Sequence, residues 1–364
     1  MTAAKTDQAS DDPSDPASGD GDRAARIADR PVRVDRFTTE GHKPRHQFAW
    51  WYALMSPILE VSPVSTPEAD FHASGRAYDL GCLHLVSLRM NSLSFRHTQE
   101  HIEGTGIDPW CLTVMKTGAL ACDANMGGSE ITAGSLGVLS FAEPFTGRAS
   151  ATDTLNLFLN RDDFHDFAAG LDAIAQRPVS GPMTSLLREF LLNAEVYLPS
   201  MKASEVSMFL ESLTLLLRAA VSPSGEAIAA ADLPVSAGRF NLVRRHIQDH
   251  LASPDLGAAS ICKALNLSRR QLYYLFEPHG GVAGFIKQRR LTAACRALAN
   301  SNDHRLISTI AYTYGYTNQA LFSRHFQAEF GFGPREARAA KLCGYLPQAS
   351  APKSFAEWLG RGSR

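Results

Sequence analysis

Two clusters of side chains in the last third of the chain have the chemistry to read a flat, charged partner. The first is "LSRRQLYYLF", where Arg269, Arg270, Gln271, Tyr273 and Tyr274 stand among leucines. The second is "YTNQALFSRHFQAEF", where Asn318, Gln319, Ser323 and Arg324 alternate with Leu321, Phe322, Phe326 and Phe330. The apolar residues recur at three- and four-residue spacing, which makes one buried helical stripe and turns the polar residues outward. Arginine can donate two bonds to guanine, and asparagine and glutamine suit adenine. A tyrosine ring can meet a thymine methyl while its hydroxyl bonds a base or phosphate. The competing reading is a solvated helix face with no partner, and for Tyr274 a half-buried packing role. The elements that carry these residues decide between the two.

Ser268 followed three residues later by Gln271 is a capping box, which starts a helix. Asn266 just before it tolerates the left-handed conformation of a sharp turn. The short segment "LGAASICKAL" precedes that turn, so the unit is short helix, tight turn, second helix: a helix-turn-helix. The pattern returns in "LISTIAYTYGYTNQALFSRHFQ", with Ile307, Ile310 and Ala311 inward, Gly315 at the turn and a helix opening near Thr317. Between the units, "VAGFIKQRRLTAACRALANS" is unbroken helical pattern, a rod of roughly 30 Å. Reading helices at its two ends would lie near one DNA turn apart, about 34 Å. Lys287, Arg289 and Arg290 on the rod could neutralise backbone phosphates or form intramolecular ion pairs. Arg296 and Arg305 read as ordinary solvated charges.

Charge agrees with this placement. The formal net charge of the chain is -1, yet residues 238–340 hold fourteen Lys and Arg against six Asp and Glu. That segment therefore carries a surplus of eight positive charges on an otherwise acidic chain, as expected of a part that meets a polyanion.

At 364 residues, 45% of them hydrophobic, the chain suits more than one globular domain. No apolar run is long enough to span a bilayer, and the opening residues lack the apolar core of a signal peptide. Six cysteines without CxxC spacing fit reduced thiols in a cytoplasmic protein.

Residues 1–34, rich in Asp, Ser, Gly and Pro, read as a disordered acidic tail. From 35 to 180 the texture is short strands, with "NMGGSE" as a hairpin turn and "HQFAWWYALMSPILEV" open between strand and packing segment. Residues 181–221 form a Leu-rich helical pair, apolar on more than one face, so that packing within one subunit and packing against a second subunit are both open. Residues 222–237 read as a linker, 238–340 as the helical DNA-reading domain, and 341–364 as a C-terminal tail whose "SFAEWLGR" has no assigned role. The fold class is α+β multidomain: a β-rich N-terminal barrel with a helical pair, then an all-α double helix-turn-helix domain.

Residues 238–340 resemble the DNA-binding domain of the AraC/XylS transcriptional regulators. The likeness is carried by "LSRRQLYYLF", "IKQRRLTAACRAL" and "ISTIAYTYGYTNQALFSRHFQAEFGFGPREAR" in that order and spacing. Two departures are Asn266, where the family often has Gly, and "EPHGG" after the first reading helix, less basic than the usual stretch. The resemblance implies that Arg269, Arg270, Gln271, Tyr273 and Tyr274, and then Asn318, Gln319, Ser323 and Arg324, face double-stranded DNA, with Lys287, Arg289 and Arg290 at its backbone. More loosely, the segment from "FRHTQEHIEG" to "ITAGSLGVLSFAEPF" is similar to the cupin-like sensor domains of the same family, in the subgroup linked to aromatic-acid and amine catabolism. That implies a small-molecule effector, a homodimer, an activator, and RNA polymerase as a candidate partner, with no enzyme activity, cofactor or membrane.

Two alternatives stand beside this reading. One is a cupin-type metal enzyme joined to a DNA-binding module. His84, His97, His101, Glu100 and Glu103 are available to it, but the His-x-His pair is absent. The other is a regulator that binds DNA with no effector. Trp110, Arg96 and His97 would suit a pocket for an organic acid, with core packing and an ion pair as the competing roles of Trp110 and Arg96.

Overall fold

Period-two burial folds residues 34–179 into two antiparallel sheets. The computed structural model describes residues 28–64, 70–123, 129–221, 239–300, 302–341 and 354–359. Residues 1–27 of the expected tail over 1–34, residues 125–128 of the expected turn over 125–130, the linker at 222–237 and most of the tail over 341–364 lie outside the described residues. Residues 28–34 depart from the tail expectation: Val32 is buried, its backbone N–H donates to the Met201 carbonyl at 2.9 Å, and Val34 opens the first strand.

In chain order the strands are β1 (Val34–Thr38), β2 (Glu60–Pro63), β3 (Ala73–Asp79), β4 (Leu83–Met90), β5 (Leu93–His97) and β6 (Trp110–Thr117). They continue with β7 (Ala119–Asp123), β8 (Ser129–Thr132), β9 (Leu136–Ser140), β10 (Phe145–Ala149), β11 (Thr152–Leu159) and β12 (Arg177–Val179). One sheet runs β1-β3-β4-β11-β6-β9-β12 and the other β2-β5-β10-β7-β8. Alternation sorts the central strands: Trp110, Leu112 and Val114 of β6 and Leu155, Leu157 and Leu159 of β11 face one core. Their neighbours Cys111, Met115 and Phe158 face another, between the sheets.

The ambiguous stretch near residue 50 is a helix, α1 (Pro44–Met55), with Pro at its first turn. It lays Phe48, Trp51 and Met55 on the inter-sheet core. Two short helices, α2 (Gln99–Thr105) and α3 (Ala168–Ala173), fill connections. The predicted pair is α4 (Pro182–Tyr197) and α5 (Ala203–Val221). Leu187, Leu191, Leu210, Leu213 and Leu217 cover the outer face of the larger sheet, while Leu186, Val196, Tyr197, Met208 and Leu215 stay exposed.

The C-terminal domain is helical throughout: α6 (Arg239–Asp249), α7 (Ala258–Leu265), α8 (Arg269–Phe276), α9 (Val282–Ala299), α10 (Ile307–Thr313), α11 (Gln319–Phe330) and α12 (Pro334–Ala339). The rod α9 belongs to two cores. Its first half, through Val282, Phe285 and Ile286, packs with Ile261, Leu272 and Phe276 of the first unit. Its second half, through Leu291, Ala294, Cys295 and Leu298, packs with Ile310, Phe322, Phe326 and Phe330 of the second. A final helix, α13 (Phe355–Leu359), returns to the N-terminal domain, with Phe355, Ala356, Trp358 and Leu359 in the inter-sheet core. No pattern in the sequence assigns that segment a place.

Candidate nucleic-acid interface

Local chemistry sets the geometry of both units. Asn266 ends α7 in the left-handed region, φ 50° and ψ 46°, and the chain turns directly into α8. Ser268 caps α8: its Oγ accepts from the Gln271 backbone N–H at 3.2 Å, and the Gln271 side-chain oxygen accepts from the Ser268 N–H at 2.9 Å. In the second unit Gly315 takes φ 78°, and Asn318 caps α11 by accepting from the Leu321 N–H at 3.0 Å.

The apolar faces of both reading helices are then committed to the core. Leu272, Phe276, Phe322 and Phe326 are fully buried. On the opposite faces Arg269, Arg270 and Gln271 are exposed, as are Gln319 and Arg324, while Ser323 is half-buried. Tyr273 and Tyr274 are 52% and 77% exposed, so Tyr274 has no packing role in this fold. Two of the candidate readers carry a structural duty as well: the side-chain oxygens of Gln271 and Asn318 serve the caps, which leaves their amide N–H groups to meet a partner.

The connecting rod departs from the expectation. Lys287 is exposed, but Arg289 is 3% exposed and cannot reach a phosphate. It takes the intramolecular alternative instead: Nη2 pairs with Asp163 Oδ1 at 2.7 Å, and Nη1 lies 3.4 Å from Asp162 Oδ2. Arg290 is also turned inward. Its Nε and Nη2 donate to the carbonyls of Leu251 and Ser253 at 3.1 and 2.7 Å. A Cβ on Gly315 would come within 2.6 Å of the same guanidinium. Arg290 therefore ties the first unit to the turn of the second, and Gly315 is needed for its close approach as well as its positive φ.

Arg289 belongs to an ion cluster between the two domains. Arg244 of α6 pairs with Asp108 at 2.5 Å and with Asp162 at 2.9 Å, and all three side chains are buried. Arg296, expected in solvent, pairs with Asp163. Burial alone would push the Asp162 carboxyl up, but Arg244 and Arg289 outweigh it and hold it below the usual carboxylate range. For Arg244, burial works against the charge, and Asp108 and Asp162 more than restore it, raising its pKa. The "EPHGG" departure lies on the same seam. His279 stacks on Phe240 at 4.6 Å, and a Cβ on Gly106 of the sensor domain would lie 2.0 Å from its ring. A Lys-rich stretch there would meet the sensor and not a phosphate.

In the N-terminal domain Trp110 and Arg96 take their competing roles, core packing and an ion pair. Trp110 is fully buried toward the helical layer, its indole N–H donating to Asp172 at 2.7 Å with Arg161 stacked 4.0 Å over the ring. Arg96 pairs with Glu60 at the surface. His97 is a core histidine, its ring nitrogens 2.7 and 3.0 Å from the carbonyls of Ile58 and Phe141. Burial lowers its pKa by more than those carbonyls raise it. Among the described residues no three His, Cys, Asp or Glu side chains gather as a metal site. The cavity of this domain lies between the sheets, about 100 Å³, lined by Trp51, Met55, Phe95, Phe158 and other apolar residues with Thr113, Thr152, Thr154 and Asn156. Its polar patch was not visible as a motif, because Thr152, Thr154 and Asn156 are simply the alternate residues of one strand.

A family described as "Helix-turn-helix domain" matches residues 261–340. The HTH-type transcriptional activator RhaS of Escherichia coli O139:H28 is 25% identical over 210 residues, covering 52% of this chain and 71% of that protein. RhaS of E. coli strain SE11 matches to the same extent. The solved structure of the AraC-like transcriptional activator CuxR is 26% identical, covers 71% of this chain and 94% of its own, and superposes with a TM-score of 0.62. With two capped helix-turn-helix units on one rod and reading faces open to solvent, the C-terminal part of the chain is an AraC-type helix-turn-helix domain, and the chain as a whole is similar to AraC-like transcriptional activators.

Proposed function

We propose that the two reading helices engage two successive major grooves of one DNA site, with Arg270, Tyr273 and Tyr274 reading one half and Gln319 and Arg324 the other. The observation that carries this is the exposure of those five side chains on helices whose opposite faces are fully buried in two cores that share one rod. Arg269 and Lys287 supply phosphate contacts. Arg289 and Arg290 do not, and act by fixing domain and unit geometry. Activation of transcription follows the named activity of the relatives, with RNA polymerase as a candidate partner. A homodimer is supported by the exposed Leu186, Val196, Met208 and Leu215 on the helical pair.

The inter-sheet cavity is the effector site of this regulator, and the buried Asp108–Arg244–Asp162–Arg289–Asp163 cluster supports control of DNA binding by the sensor domain. Genome-wide DNA capture with the purified protein at two salt concentrations tests the reading. Enrichment of a bipartite motif, weakening steeply with salt, is expected; enrichment without any sequence preference at either salt would refute it.

A further inference from the structure

The helix α13 sits where an effector would. Phe355 lines the cavity and meets Phe158 edge-on, ring centroids 5.5 Å apart. Trp358, three residues on, packs against His84 at 4.5 Å and anchors the helix from outside the lining. Both side chains are buried, yet the Trp358 indole N–H has no hydrogen-bond partner among the described residues. Leaving a buried donor unpaired is costly, so this seat is one the helix can vacate.

The lining defines what would replace it. It holds no Asp, Glu, Lys, Arg or His among the described residues, so a carboxylate or ammonium would enter without a counter-charge. Thr113, Asn156 and Thr154 are joined to one another by 2.9 Å bonds and are already spoken for. Two buried polar atoms of the lining are not: Thr152 Oγ1 and Trp51 Nε1 lack any partner among the described residues. Size points the same way. An apolar cavity of about 150 Å³ takes a benzene ring, and this one falls short at about 100 Å³ until Phe355 withdraws its phenyl group.

We propose that α13 is a tethered occupant of the sensor cavity, displaced by a small uncharged aromatic molecule bearing one hydroxyl or carbonyl that bonds Thr152 or Trp51. Displacement releases α13 from the inter-sheet core, so occupancy of the cavity changes the seat of a helix that follows the DNA-binding domain in the chain. This inference rests on the regulator reading and names the ligand class and the moving part at its effector site.

The test uses the full chain with benzyl alcohol as probe and benzoate as its charged counterpart. Affinity is measured by ligand-observed NMR, and release of α13 by chymotryptic cleavage after Phe355 and Trp358. Benzyl alcohol should bind and accelerate cleavage at both sites, and benzoate should do neither. Trp358→Ala, which unseats the helix without touching the lining, should tighten benzyl alcohol by about tenfold, since a competitor seated most of the time weakens the apparent affinity by that fraction. Thr152→Val should weaken it. Protection of the cleavage sites by benzyl alcohol, equal binding of benzoate, or an unchanged or weaker affinity in Trp358→Ala would overturn the proposal. The cleavage assay on the unaltered chain decides even where a variant does not fold. A DNA mobility shift on the same protein with and without benzyl alcohol separates the two levels: shifted DNA with no displacement refutes the tethered occupant alone, and no DNA binding in either condition refutes the regulator reading beneath it.

Discussion

The reading helices and the rod between them carry the same residue type to opposite ends. Arg270 and Arg324 stand in solvent with no core duty, whereas Arg289 and Arg290, about as close in sequence to a helix-turn-helix unit, are turned inward by ion pairs and carbonyls. Charge in a sequence thus marks a nucleic-acid surface only where helical phase also turns it outward. The rod turns Arg289 and Arg290 inward because it serves two cores and the domain seam at once, and leaves Lys287 exposed.

The largest effect expected from breaking this contrast is on the buried side. Arg289→Ala leaves Asp162 and Asp163 short of a partner in a buried site, and should cost about 3 kcal/mol of unfolding free energy by denaturant titration. The lower end of the usual range applies because Arg244 and Arg296 remain. DNA sequence preference at permissive temperature should be unaltered. The same cluster sets an acid limit. Because the folded Asp162 pKa is depressed, the unfolded chain takes up that proton first as pH falls below about 4. The stability it lends is complete above that pH and is lost as pH drops through the folded value, so the unfolding midpoint should fall more steeply with acid than in Asp162→Asn.

On the exposed side the pattern inverts. Arg270→Ala and Arg324→Ala should each lose about 1–3 kcal/mol of discrimination at one position and leave the unfolding midpoint unchanged. Asn318→Ala sharpens the distinction between reading and capping. It should cost about 1 kcal/mol of stability through the lost cap, with a smaller change in base preference than Arg324→Ala. The smallest effect belongs to Lys287→Ala, which should lower the salt slope of DNA binding by about 1 across all sequences.

Much of the DNA-binding domain was legible because local rules act within a few residues. The capping box at Ser268, the left-handed Asn266 and the Gly315 turn each announce themselves by adjacent residues, and the structure has all three. The helical pair was legible from period alone. What was hidden depends on residues far apart in the chain: Arg244 meets Asp108 across 136 positions and Arg289 meets Asp163 across 126. No pattern in "IKQRRL" distinguishes the arginine that faces a carboxylate from the lysine that faces water. Trp110 and Arg96 take the second of the two roles open to each, core packing and an ion pair, and for Trp110 the choice turned on strand phase. On β6 the strand phase that puts Cys111 and Thr113 between the sheets turns Trp110 away, and the phase could not be fixed until the helical layer was placed. The C-terminal helix was unreadable because its partner surface, around Phe158 and His84, is assembled from separate strands.

The most direct test of the two-helix reading is selection of bound sequences from a random DNA library by the unaltered chain, by Arg270→Ala and by Arg324→Ala. The account predicts a bipartite motif with half-sites about one helical turn apart, and each substitution should blur its own half while leaving the other sharp. A motif with a single half, or two halves that both survive both substitutions, would contradict it.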